Sequence, residues 1–315
     1  MPDALLQPIF VLLWSSGYVV GALASQVSGP VPLLATRFIL ASLVTVPVAL
    51  RSGRLKGAPL RRLAVIGLLF QVIQFGGIYG GFALGVPAGL SALVMLGLSP
   101  LVTTGLAIAG GQETHDRRMW SGLVIGIAGV VIGLIPELGH ARIGAGLVVT
   151  AVGMLGLAGG SVLQKRWGAG VDPMASAAVQ SLTGAVVMAP VLAIAGGRYV
   201  VGPQLVLSLA WLGVGMGMGT LLVLVNLLAR HDASRVSALL LLVPAVTAIA
   251  SVPALGEALH PATVAGMAVS GAGVWVAIRS GGTRRPNFAR SAAERWRAAS
   301  RPRTPAGADG RPARP

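Results

Sequence analysis

Ten apolar runs, each about long enough to cross a bilayer, fill the sequence from residue 5 to residue 279, at 5–23, 31–50, 62–83, 87–110, 118–136, 143–164, 174–195, 203–228, 235–255 and 261–279. A helix needs about 20 apolar residues to cross about 30 Å of hydrocarbon. Within that layer each crossing segment must be helical, because only its own backbone can satisfy its N–H and C=O groups. The breaks are short and carry turn or charge signals, such as Ser28-Gly29-Pro30, Arg51 to Arg62, Glu113 to Arg118, Arg166 to Pro173 and Arg230 to Arg235. The faintest break, between Ala83 and Ala88, is marked only by Pro87 and neighbouring glycines. Charged residues make up 10% of the chain, where a soluble domain carries about a quarter, so too little polar surface exists to face water. The expected fold class is an all-α integral membrane protein of ten transmembrane helices.

A repeat organises these runs. Residues Pro100 to Val130 match Pro244 to Val274 at a shift of 144: Pro100 with Pro244, Thr103 with Thr247, Glu113 with Glu257, Gly122 with Gly266 and Gly129 with Gly273. Pro47-Val48 matches Pro190-Val191 at a shift of 143. Aligned prolines and aligned acidic residues in a chain with only nine acidic residues point to two five-helix units, 1–139 and 140–279. Five is odd, so the second unit enters the membrane from the opposite side, the inverted-repeat arrangement of many secondary transporters.

Charge placement sets the orientation. With the N-terminus inside, the cytoplasmic loops hold Arg51, Arg54, Lys56, Arg61, Arg62, Arg117, Arg118, Lys165, Arg166, Arg230 and Arg235, and the outer loops hold Arg142 and Arg198. Both termini are expected in the cytoplasm of a multi-pass cell (inner) membrane protein. The net charge of +15 does not read as a nucleic-acid surface, because much of it lies from Arg279 onward. Residues 280–315, rich in Arg, Pro, Ala and Gly, read as a disordered basic cytoplasmic tail. The first apolar run has no basic region before it and reads as the first span, not a cleaved signal. There are no cysteines, hence no disulfide, Cys-based metal site or thiol catalysis.

Three features carry a family resemblance: Trp14-Ser15-Ser16-Gly17-Tyr18 in the first span, the Arg37-Phe38 pair early in the second, and two copies of a Pro-x12-Glu-x8-Gly pattern, Pro100-Glu113-Gly122 and Pro244-Glu257-Gly266. With these the chain resembles the EamA-type branch of the drug/metabolite transporter superfamily over residues 5–279. The resemblance implies a central pocket lined by spans one, three, four, six, eight and nine, and structural roles for Glu113 and Glu257 as helix caps or loop anchors. The family that the chain resembles is known for exporters of amino acids, other metabolites and drugs.

The candidate substrate-binding residues are Trp14, Tyr18, Gln71, Gln74, Arg37 and Asn226. Arg37 lies about 9 Å inside the second span, where it either snorkels outward or faces a cavity and attracts a carboxylate or other anion. Trp14 and Tyr18 share a helical face, and Gln71 and Gln74 stand one turn apart on the third span, as either solute ligands or helix glue. Their counterparts Gly215 and Met218 are small or apolar, so the first unit is expected to hold the polar end of the solute. Pro100 and Pro244, both expected mid-span, read as either hinges or fixed kinks. No Asp, Glu, Lys or His lies at mid-depth in any span, which leaves little for an intramembrane enzyme, and no phosphate loop is present. The expectation is a secondary transporter of small organic solutes working by alternating access, an exporter of amino acids or related metabolites. The alternatives are a multidrug exporter or a non-transport membrane protein or enzyme. No cofactor or metal is expected. The expected partners are a small-molecule solute and the lipid bilayer, with a homodimer left open.

Overall fold

Proline and the short polar breaks set the helix boundaries. In the computed structural model, which describes residues 3–109, 117–137, 141–168, 170–216, 223 and 239–280, the helices are α1 (Asp3–Val27), α2 (Pro30–Arg51), α3 (Leu60–Ala83), α4 (Ala88–Ala109), α5 (Arg117–Leu134), α6 (Ala141–Trp167), α7 (Pro173–Ala195), α8 (Pro203–Ala210), α9 (Val243–Leu255) and α10 (Pro261–Ser280). Pro30, Pro173, Pro203 and Pro261 each sit at a helix start, where the missing N–H would have no helical partner anyway. Among the described residues, five helices are long and apolar enough to cross a membrane by themselves: α1 over Leu5–Val27, α2, α3, α6 over Ile143–Trp167, and α7. The faint break after α3 is a real turn, closed by Gly85 in the left-handed region at φ +91°. The expected tail at 280–315 lies outside the described residues beyond Ser280, as do Glu113 and Asn226.

Two helices change pitch on the way across. In α3 the stretch Leu68–Gln74 is π-helical, and α8 continues into a π stretch, Trp211–Gly215. They begin 143 residues apart. The helix starts at Pro30 and Pro173, and at Leu60 and Pro203, share that spacing, and Arg117 and Pro261 are 144 apart. Pro100 lies inside α4 as expected. Pro244 is the second residue of α9, directly after a 3-10 turn at Leu240–Leu242 that itself follows helical Leu239, so the helix changes pitch at the proline.

The helices pack in pairs that mirror one another. α1 lies against α8 and α9, and α6 lies against α3 and α4. α2 packs on α7, α4 on α9, and α5 on α10. The main buried cluster includes Phe10, Tyr18, Leu33, Phe38, Tyr79, Met95 and Leu212. Large apolar side chains such as Leu43, Val124, Val148 and Leu207 point outward. In water that surface would be an aggregation liability, and in a bilayer it faces lipid tails.

The tightest pairing, α5 with α10, is made by glycine. A Cβ on Gly129 would meet the backbone of Ser270 and Gly266, and one on Gly266 would meet Gly129 and Gly133. A Cβ on Gly273 would meet Gly126 and Gly122. The early part of each helix therefore touches the late part of the other, so α5 and α10 run antiparallel, backbone on backbone.

Two interloop ties complete the frame. At one end, Gly29 N–H donates to Arg198 O at 2.7 Å and Val200 N–H to Val27 O at 2.9 Å, around an isolated antiparallel bridge between Ser28 and Tyr199. Arg198 Nη2 also donates to Gln26 O at 2.8 Å, and Gln204 Nε2 to Leu23 O at 2.8 Å. The second tie joins the loop after α2 to the loop before α7 through one exposed ion pair, Arg54 with Asp172 at 3.6 Å.

Candidate functional site

α1 presents its five-residue motif to the second half of the chain. Trp14 stacks obliquely on Phe10 with ring centroids 5.4 Å apart. Ser15 is buried and donates to Val243 O at 3.3 Å, at the start of α9. Ser16 accepts from Trp211 Nε1 at 2.9 Å, on the π stretch after α8. Gly17 leaves no room for a Cβ beside the Met216 sulfur. Tyr18 is buried in the main cluster. The motif thus locks α1 between α8 and α9 and carries two aromatics inward.

Arg37 does not snorkel. It is 8% exposed, seven residues into α2, which at 1.5 Å per residue is about 10 Å from the helix start. Its guanidinium carbon lies 3.9 Å from the centroid of Phe75, with Phe38 at 5.8 Å and Tyr79 at 5.9 Å. Arg37 Nη1 donates to the Tyr79 hydroxyl at 2.6 Å. Tyr79 is itself 1% exposed, and its ring packs against Gly21 of α1 and stacks on Phe75 at 6.1 Å. A planar cation over an aromatic face is attracted by the ring quadrupole, more strongly where water is excluded. Among the described residues no carboxylate pairs with Arg37: Asp172 faces Arg54, and Glu257 lies at the start of α4. Sequence reading did not single out Tyr79 or Phe75. The available signal was a tyrosine deep in an apolar run, since a buried hydroxyl needs a partner.

The two glutamines do not form the expected pair on one face. Both lie in the π stretch Leu68–Gln74, where hydrogen bonds close over five residues, so a spacing of three falls well short of a turn. The Gln71 Cβ sits beside Gly184 of α7, which also meets Phe38. The backbone of Gln74 faces Gly153 and Gly156 of α6. Among the described residues neither side-chain amide has a hydrogen-bond partner. Gln180, at the place in α7 that answers Arg37, behaves otherwise: it donates to Gln164 at 3.0 Å and Ser176 at 2.7 Å and joins α6 to α7.

Of the repeated pattern, Glu257 Oε1 accepts the backbone N–H of Ala88 at 2.8 Å, holding the first turn of α4 from the loop after α9. Gly122 and Gly266 lie in the α5/α10 seam. Pro100 is partly buried and Pro244 buried. One cavity lies apart from all of these, an apolar groove of about 630 Å³ lined by Gln7, Leu242, Ile249, Met267 and Trp275 among others, at α9 and α10. It contains none of the candidate residues.

Comparison with known proteins places this geometry in a context. Residues 144–279 match the EamA-like transporter family. A protein of Salmonella typhimurium named "probable amino-acid metabolite efflux pump" is 26% identical over 293 residues, spanning 88% of this chain and 94% of that protein. A protein of the same name from Escherichia coli is 26% identical over 165 residues, 52% of this chain and 54% of the other. A solved crystal structure has a similar fold, with TM-score 0.59 and 22% identity, covering 87% of this chain and 96% of that one.

Proposed function

From an EamA-like transporter domain at residues 144–279, in a chain of multi-pass membrane helices, we infer a secondary exporter of small organic solutes that works by alternating access, with amino acids or related metabolites as its cargo. Relatives named as amino-acid metabolite efflux pumps support the cargo class. The observation that carries the mechanism is the α5/α10 seam. Exchanging the two halves at a shift of 144 turns the contact of Gly266 with Gly129 into that of Gly122 with Gly273, and both contacts are present. A contact that survives this exchange between antiparallel helices is what two inverted copies related by a two-fold axis produce. The π stretches 143 residues apart and the mirrored helix pairings support the same reading. The units are 1–139 and 140–279, with ten spans and both termini cytoplasmic in the inner membrane.

The pocket is proposed to draw on Trp14, Tyr18, Arg37, Gln71, Gln74 and Asn226, with Glu113 and Glu257 as anchors of the repeated pattern. A buried positive charge near the pocket disfavours cationic drugs as cargo. The test is efflux from everted vesicles and proteoliposomes across a panel of amino acids and drugs, with and without a pH gradient. Export of one or more amino acids is expected. Flux of none of them, with the protein present in the membrane, would refute the reading.

A further inference from the structure

The geometry points to Arg37, held by Phe75 and Tyr79, as the group that binds the carboxylate of the exported solute, with Tyr79 its positioning residue; this rests on the exporter reading above. Three observations converge on it. A guanidinium inside a membrane span is expensive and is kept only where it is paired or functional. Arg37 is buried, yet among the described residues its neighbours supply no negative charge: Phe75 covers one face and Tyr79 takes one N–H of Nη1. No Asp or Glu of the sequence stands mid-span to serve as a fixed counter-ion.

The second observation is geometric. Guanidinium has five N–H donors in a flat fork. Stacking on Phe75 uses the face and leaves the edge. Among the described residues only the bond to Tyr79 uses that edge. The free edge is the shape that receives the two oxygens of a carboxylate side by side.

The third is the contrast between the two halves. The residue answering Arg37 in the second half is Gln180, and both N–H donors of its amide are taken, by Gln164 and Ser176. The same place in the two halves thus carries glue on one side and an unspent charge on the other. A residue kept only to join helices would resemble Gln180. The hydroxyl of buried Tyr79, bonded to Nη1, fixes which edge of the guanidinium stays open, and the Phe75 ring fixes its plane.

The test compares an exported amino acid with its α-carboxamide, of nearly the same size and shape but without the negative charge, in proteoliposomes carrying wild type, Arg37→Gln, Arg37→Lys and Tyr79→Phe. Wild type is expected to prefer the free acid. Arg37→Gln should raise the apparent KM for the acid about 10- to 100-fold while leaving the carboxamide nearly unchanged. Arg37→Lys should restore part of the preference, because it keeps the charge and loses the fork. Tyr79→Phe should raise the acid KM a few-fold at unchanged kcat. A merely structural arginine would lower flux of both compounds together and leave their ratio alone, and that result would overturn the proposal. If Arg37→Gln fails to insert, an unchanged acid-to-amide ratio in Tyr79→Phe and Arg37→Lys overturns it instead. A wild type that exports acid and carboxamide equally sinks the carboxylate clamp but leaves the exporter standing. A wild type that exports neither refutes both.

Discussion

At the scale of single residues, polar groups in apolar runs were the readable signal, and their partners were not. Arg37 and Tyr18 stand out in the sequence because few polar side chains interrupt the spans. Tyr79 did not, because a tyrosine in a stretch of Phe, Gly and Ile reads as ordinary apolar filling until the arginine across from it is seen. The glutamines were legible as polar but not in their direction, because a sequence pattern implies α pitch and the local helix is π. Gln71 lies beside Gly184 and Phe38, at the edge of the aromatic group around Arg37. Replacing a glutamine that bonds the solute costs about 1–3 kcal/mol, or roughly 5- to 150-fold in affinity. Gln71→Leu should therefore raise the apparent KM within that range at normal membrane abundance, measured as solute flux alongside quantitative blotting. Gln74→Leu, at the other glutamine proposed for the pocket, should fall in the same range. If flux affinity is unchanged in Gln71→Leu, this glutamine is packing material and lies outside the pocket.

At the scale of elements, helix starts were legible because proline announces them, and Pro30, Pro173, Pro203 and Pro261 all stand where the sequence puts a span. Changes of helical pitch were not legible. A π segment differs from an α segment by one residue of slack, and no residue type is reserved for it. The two π segments at Leu68–Gln74 and Trp211–Gly215 occupy matching places, and such segments recur at functional sites. In α3 the segment ends directly before Phe75, with Tyr79 about one turn further on, so its slack sets how those rings meet Arg37. Deleting one residue within Leu68–Gln74 should restore α pitch while keeping the flanks near register. The expected outcome is normal insertion with solute flux reduced about tenfold or more, a barrier change of about 1.4 kcal/mol. Wild-type flux in the deletion would show the π segment to be incidental.

At the scale of the whole molecule, the repeat was legible because it left matched prolines, glutamates and glycines in the sequence. The reason those glycines matter was not, since only the structure shows α5 and α10 meeting backbone to backbone. The orientation of the frame is an expectation from charge. Reporter fusions at Arg54 and at the C-terminus should read cytoplasmic, and a fusion at Gly139 should read external. A cytoplasmic reading at Gly139 would overturn the ten-span arrangement.

The two interloop ties differ in kind, and the difference has a consequence for waiting times. On the face that this orientation puts outside, main-chain bonds at Gly29 and Val200 hold the loops together, each worth about 0.5–1.5 kcal/mol net. On the inner face the matching loops share one exposed ion pair, worth about 0–1 kcal/mol and weakened further by salt. A movement that parts the loops at Gly29 and Val200 must break main-chain bonds, which only a change to the backbone such as Val200→Pro removes, whereas between the loops at Arg54 and Asp172 it breaks a single exposed ion pair. With the N-terminus inside, this imbalance favours an empty carrier that opens toward the cytosol. That shortens the queue for a molecule arriving from the cell, while the direction of net flow is still set by the gradient that drives it.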